Sequence, residues 1–297
     1  MERRDNGEGA SPLARSPEES ETAATPALRL IVNADDFGRS QSINAAVIRA
    51  HREGILTSAS LMVNEPGCAE AVALAKETPK LGVGLHLSLV CGRSALPPSE
   101  VPGLVNQRGE FGPNPVVVGM KYHFNRNLRP QLRAEIHEQF ARFHATALPL
   151  DHVNGHLHFH LHPVVFEILM TDAKELGLRH LRLTRDDFWM NLGLARGRIF
   201  YRVSHALVFG ILAAVSRQSL LDQNVRHTGH VFGLLQDSHV HEDFILKLLP
   251  FLPPGDSELY SHPSLDKFKH EFEALVSLRV KSLVEKLGIQ LIRYQDL

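Results

Sequence analysis

Short aliphatic runs alternate along this chain with segments of helical periodicity, and that cadence limits the fold more than any other feature of the sequence. LRLIVNA at residues 28–34 is a nearly continuous apolar run, the pattern of a strand covered on both faces. Residues 42–52 follow with Ile43, Ala46, Val47 and Ala50 on one helical face, and Gly54 stands where such a helix stops. The rhythm then repeats: a strand over 56–63, a helix over 67–77, and GVGLHL ending at Leu87. Beyond a long gap come a helix over 128–145, a strand over 150–154, a helix after Pro163 and a strand HLRL at 180–183. Further strands are expected at 229–234, 258–261 and 289–292, with a helix over 265–287. About eight strands alternating with helices imply parallel βα units, and at 297 residues a (β/α) barrel fits better than an open doubly wound sheet.

Composition narrows the function. A hydrophobic fraction of 43% supports a substantial core, and 32 basic against 33 acidic residues leave a formal charge of -1. No net field is available to hold nucleic acid or an anionic membrane, so neither is expected as a partner. Cys68 and Cys91 are too few for a disulfide framework and lack the spacing of a cysteine zinc site. Residues 1–26 carry six acids, three arginines and three prolines without an aromatic, Val or Ile, which predicts a disordered leader ahead of a domain spanning 27–297. That leader has neither the apolar core of a secretory signal nor the acid-poor composition of a mitochondrial one, so a cytoplasmic location is expected. The longest apolar stretch, residues 206–215, falls short of the roughly 20 residues of a membrane span and reads as a buried helix. Two insertions, 92–127 and 185–224, are candidate lids or substrate walls, and the first reads equally well as variable surface decoration.

Chemistry concentrates where strands end. Asp35 and Asp36 follow the strongest strand directly, at the end where parallel α/β folds build their sites. One of them taken alone would serve equally well as a helix cap; adjacent residues leave a strand in opposite directions, so the pair is expected to divide its labour. His86 sits where another buried strand runs out. Five of the 18 histidines, His152, His156, His158, His160 and His162, crowd into one short segment. If the strand continued through it, they would share a face with Asn154, and a metal is the economical explanation for such a density of imidazole. A strand advances about 3.3 Å per residue against a coordination radius near 2 Å, so one or two can ligate while the others support, contact substrate or cap a helix. His262 closes a fourth strand-like segment, ELYSHP.

VNADDFG, GLHL, HVNGHLHFHLHP and ELYSHP, in that order, resemble the YdjC-like carbohydrate deacetylases, and the resemblance runs from about Leu28 to Leu297. It implies a distorted (β/α) barrel of the glycoside hydrolase/deacetylase type, one divalent metal, and hydrolysis of an acetamido group on an N-acetylated sugar or oligosaccharide. It further implies Asp35 as catalytic base, Asp36 at the metal, and His86 and His156 as the metal histidines. His262 is the first choice for stabilising the oxyanion or protonating the leaving amine. The resemblance favours magnesium, whereas two imidazoles and a carboxylate suit zinc, cobalt or nickel. Many relatives carry Asp where this chain has Asn154, which replaces carboxylate support of a histidine by an amide. Two alternatives stand beside this reading: a metal-dependent phosphoesterase, which would need a basic cluster such as Arg179, Arg182 and Arg185, and a barrel that has lost catalysis and acts as a scaffold. Those arginines are read as a solvated face, and Trp189, Phe188 and Tyr122 as core aromatics with a lesser claim as sugar platforms.

Overall fold

A computed structural model describes residues 27–194, 197–236 and 238–297, so the expected leader lies outside the described residues. The chain runs β1 (Leu28–Phe37), α1 (Gln41–Glu53), β2 (Ser58–Leu61), α2 (Cys68–Lys76), β3 (Gly82–Leu87), α3 (Pro115–Phe124), α4 (Arg129–Ala145) and β4 (Val153–Gly155). It continues through α5 (Pro163–Thr171), α6 (Ala173–Leu176), α7 (Phe188–Leu194), α8 (Ile199–Asp222) and β5 (His230–Phe232). The last elements are α9 (Glu242–Leu248), β6 (Gly255–Ser261), α10 (Lys269–Val276), α11 (Leu278–Lys286) and β7 (Gln290–Ile292). Strand pairing is parallel throughout, in the order β4-β3-β2-β1-β6-β5, with β7 on β1.

β1 is the axis of this sheet, and every residue from Leu30 to Phe37 is buried, as its continuous apolar run requires. One edge pairs with β6 from Leu28 to Ala34. The other is shared: β7 pairs with residues Arg29–Ile31, and β2 takes over from Asn33 onward. The HLRL segment expected as a full strand is instead a sparse bridge. Leu181 pairs with Val153 of β4 and His180 with Arg226, while the Val231 amide of β5 donates to the Arg185 carbonyl at 3.1 Å. These few bonds draw the two sheet edges together, and the result is a curled, incompletely regular (β/α) barrel.

Two other expectations change. The helix over 265–287 is two helices, because Ser277 takes extended dihedrals and its side chain caps the Val280 amide of α11. The apolar stretch 206–215 belongs to α8, a 24-residue helix whose most apolar 18 residues have a mean hydropathy of 1.6, and only 17% of that window is buried. Its length and composition would suffice to cross a membrane. The expectation of a buried helix fails: the main contacts of α8 are with α5, α7 and the turns at 156–161 and 234–236, and one side of it lines the cavity at the strands' C-terminal ends.

Candidate active site

The end of β1 is bent, and the bend puts both aspartates to use. Register with β2 slips between Ala34 and Phe37, and Asp36 adopts φ of 64°, a left-handed conformation that Asp tolerates better than most residues. Gly38, at φ of 91°, completes the turn; a Cβ there would lie 2.9 Å from Leu61 Cδ1. Asp35 consequently faces the barrel interior while Asp36 faces the ends of β3 and β4.

Asp36, His86 and His156 form one buried donor group, with their ligating atoms all within 4.8 Å of one another. Asp36 Oδ1 lies 3.0 Å from His156 Nδ1 and 3.4 Å from His86 Nε2. The His86 Nδ1–H donates to Asn154 Oδ1 at 2.7 Å, which leaves Nε2 as the ring nitrogen aimed at Asp36. The amide at 154 therefore retains the orienting role expected of a carboxylate, and its Nδ2 donates to Asp35 Oδ1 at 3.1 Å. Arg39 holds the other Asp36 oxygen at 2.8 Å. Burial alone would push the Asp36 carboxyl up, but His156 and His86 hold it well below the usual range. Burial would likewise lower His86, and the carboxylates of Asp35 and Asp36 raise it instead. A buried imidazole drawn toward its protonated form marks a site with negative charge to spare, so this donor set fits a cation.

Asp35 sits in a tighter frame. Arg182, fully buried, grips it with two bonds of 2.7 and 2.9 Å, and Asn33 Nδ2 adds a third at 2.8 Å. Burial opposes the charge, yet Arg182 prevails and keeps the Asp35 carboxyl far below its ordinary value. The same guanidinium donates to Glu258 Oε1 at 2.9 and 2.7 Å and stacks over the Tyr260 ring at 4.4 Å. Glu258 in turn accepts the hydroxyl of Tyr294. Beneath lies a second chain: Ser60 bonds His152 Nε2 at 2.9 Å, and His152 Nδ1 donates to Asp151 Oδ2 at 2.9 Å. His152 fits against β3 because residue 84 is glycine; a Cβ there would lie 2.5 Å from the imidazole. The solvated face expected for Arg182 is not found, since the side chain is fully buried. With two carboxylates already neutralising it, it offers no phosphate cradle, which removes the basic cluster that a phosphoesterase would need.

The histidine segment does not continue as a strand. β4 stops at Gly155, and Leu157 and His158 both take left-handed dihedrals, φ of 50° and 59°, so the side chains radiate instead of sharing one face. His156 alone reaches Asp36. His158 bonds the Tyr260 hydroxyl at 2.9 Å, His160 the Arg182 carbonyl at 2.9 Å, and His162 the Gly119 carbonyl at 3.0 Å. Burial and then Arg182 push His160 down to about 3, so it is a neutral structural ring. His262, partly exposed, lies on a cavity of about 440 Å³ that also reaches Asp35, His86 and His156. Its ring Nδ1 stands 3.8 Å from Glu271, which also accepts the His262 amide. All five residues singled out at strand ends therefore meet at one cavity or its floor. Tyr122 is core, its hydroxyl donating to the Leu89 carbonyl at 2.9 Å, whereas Trp189 is exposed on α7. A second group, His137, Asp172 and Glu175, is an ion-pair network: Arg133 already occupies both Asp172 oxygens at 2.7 Å.

Known proteins resemble this chain along most of its length. The model of the family described as YdjC-like protein matches residues 29–286. A carbohydrate deacetylase of Clostridium beijerinckii is 31% identical over 277 residues, covering 91% of this chain and 100% of that protein. One from Brevibacillus brevis is 43% identical over 150 residues, half of this chain and 56% of its own length. A chitooligosaccharide deacetylase of Serratia marcescens is 38% identical over 164 residues, 53% of this chain and 60% of its own length. The latter two alignments thus span somewhat over half of those relatives. Among solved structures, an Enterococcus faecalis protein to which cellobiose-phosphate cleavage is ascribed superposes with a TM-score of 0.71 at 24% identity. That alignment covers 91% of this chain and 98% of the other, and supports the fold.

Proposed function

We propose that this chain, which belongs to the YdjC-like protein family, is a metal-dependent deacetylase that removes the acetyl group from an N-acetylated sugar. The observation that carries the reading is the donor group of Asp36, His86 and His156 at the floor of a cavity shared with Asp35 and His262. Relatives named for carbohydrate and chitooligosaccharide deacetylation support the substrate class. Asp36, His86 and His156 would hold a divalent ion, which when bound would supply Lewis acidity at the acetyl carbonyl and lower the pKa of a water. Magnesium is the ion the resemblance favours; zinc, cobalt or nickel is the ion that two imidazoles and a carboxylate favour.

The chain's own residues do the rest. Asp35 accepts the proton of the water as its oxygen bonds to the acetyl carbon, and Arg182 and Asn33 hold the carboxylate in place for that transfer. His262 donates a proton to the sugar nitrogen as the C–N bond breaks, so that acetate and a free amine leave. Asn154 keeps the His86 ring oriented and also bonds Asp35, coupling the base to the donor group.

Acetate release from N,N′-diacetylchitobiose by metal-replete wild type and by Asp35→Asn tests this reading, with metal content measured on both. Turnover by the wild type, and at least roughly 100-fold less by a variant that retains its metal, is expected of a lost general base. Near-normal turnover by Asp35→Asn would refute the base assignment. Silence from a metal-loaded wild type would favour the scaffold reading.

A further inference from the structure

The cavity above the donor group opens outward between α3 and α8, and both helices carry its apolar wall onto the surface. Val116 of α3 and Val208 and Phe209 of α8 line the cavity itself. Beyond it α3 exposes Val117, Met120 and Phe124. Along α8, Val203, Leu207, Ile211 and Val215 follow at intervals of four residues, one stripe of a helix, and Leu207 and Val215 are 63% and 74% exposed. No charged residue interrupts α8 between Arg202 and Arg217. Val116 and Val208, which line the cavity, are themselves 71% and 51% exposed, so the lining continues onto the surface, and exposed apolar residues in this number mark a binding face.

What it binds follows from its continuity with the cavity. The floor is polar and ionic, the wall aliphatic, and an occupant that satisfies both is an amphiphile. A bare sugar chain lying along the stripe would press its hydroxyls against groups that cannot hydrogen-bond, an arrangement that costs free energy. A second copy seated there would cover the mouth through which substrate must pass. We propose that the α3–α8 wall receives the alkyl or acyl chain of an N-acetylated glycolipid while its acetamido sugar rests on the floor. The head-group half of this assignment rests on the deacetylase reading; the apolar half does not.

The test measures binding and turnover separately. Octyl and methyl β-glycosides of N-acetylglucosamine are titrated by calorimetry into the full-length, metal-loaded protein and into a Val203→Ser, Leu207→Ser, Ile211→Ser variant. These three positions lie outside the cavity lining. Circular dichroism and sedimentation accompany both proteins. Each buried methylene strengthens binding by roughly fourfold, so the wild type is expected to prefer the octyl glycoside by at least about tenfold. In the variant that ratio falls toward one, with methyl-glycoside affinity and helix content unchanged. Equal affinities in the wild type, affinity for neither glycoside, or a preference that survives in the variant would overturn the proposal. So would a wild-type dimer that the substitutions dissociate, since a second copy would then cover the stripe. Octyl preference without acetate release would uphold the apolar wall and reject the deacetylase reading.

Discussion

Arg182 shows how one residue governs the chemistry of another that the sequence advertises more loudly. Asp35 is recognisable from its position after a strong strand, but its state is set by a guanidinium 147 residues away that is also shared with Glu258. Removing Arg182 leaves two buried carboxylates without their cation, and Arg182→Met is expected to cost about 3–5 kcal/mol in urea denaturation. The sign with pH is fixed. Because the folded Asp35 pKa is depressed, its contribution to stability is complete above the unfolded value and is lost progressively as pH falls from there through the folded one. In the variant the carboxyl titrates higher and takes up a proton that relieves its burial. The stability gap between the two proteins is therefore widest near neutrality and narrows on acidification; a gap independent of pH would contradict the ion-pair account. Asp36, His86, His156 and His262 were legible because each ends a strand. Arg182, Asn33, Ser60 and Glu258 were not, since their roles arise from contacts across the barrel that no local spacing encodes.

At the scale of elements, turns decide which side chains meet. The βα cadence was readable because buried parallel strands and amphipathic helices have distinct periods, and β1, α1, β3 and α4 fall close to their expected places. The alternating histidines misled because periodicity cannot reveal a backbone reversal: two left-handed residues at Leu157 and His158 scatter what an extended strand would have aligned. The left-handed turn after β1 is equally specific. Gly38→Ala would place a methyl group 2.9 Å from Leu61 Cδ1 on a backbone that L side chains rarely adopt. It is expected to destabilise the protein by roughly 1–3 kcal/mol and to weaken metal retention, because Asp36 lies in the same turn. Thermal unfolding and metal analysis of the purified variant check this, and wild-type values for both would show that the turn tolerates rearrangement. α8 illustrates a different limit. Composition gave its apolar character, but whether an apolar helix is covered depends on what it packs against, and α8 packs chiefly on α5, α7 and two short turns.

Across the whole molecule, the two ends of the described chain close on the site. β1 opens the barrel and β7 pairs with its first residues, which brings Tyr294 beneath the floor of the cavity. There Tyr294 is fully buried, stacks on His152 at 4.4 Å and donates its hydroxyl to Glu258, while the next residue's amide bonds Asp151 at 3.1 Å. Both buried chains that support Asp35 thus end in the last few residues. Tyr294→Phe keeps the stack and removes one hydrogen bond to a charged group, for an expected loss of about 1.5–3 kcal/mol by denaturant titration. A cost below roughly 0.5 kcal/mol would mean that Glu258 is satisfied without it. The closure of the barrel was only partly legible, because the 180–185 segment joins its neighbours through single bridges and not a ladder. The central claim is that Asp36, His86 and His156 hold an ion on which acetyl hydrolysis depends, and it is tested most directly by stripping and restoring that ion. Chelator-treated wild type should release no acetate from N,N′-diacetylchitobiose and regain turnover with one equivalent of divalent metal per chain, while Asp36→Ala should neither retain the ion nor recover. Full turnover by the stripped protein, or recovery of Asp36→Ala at the same stoichiometry, would contradict it.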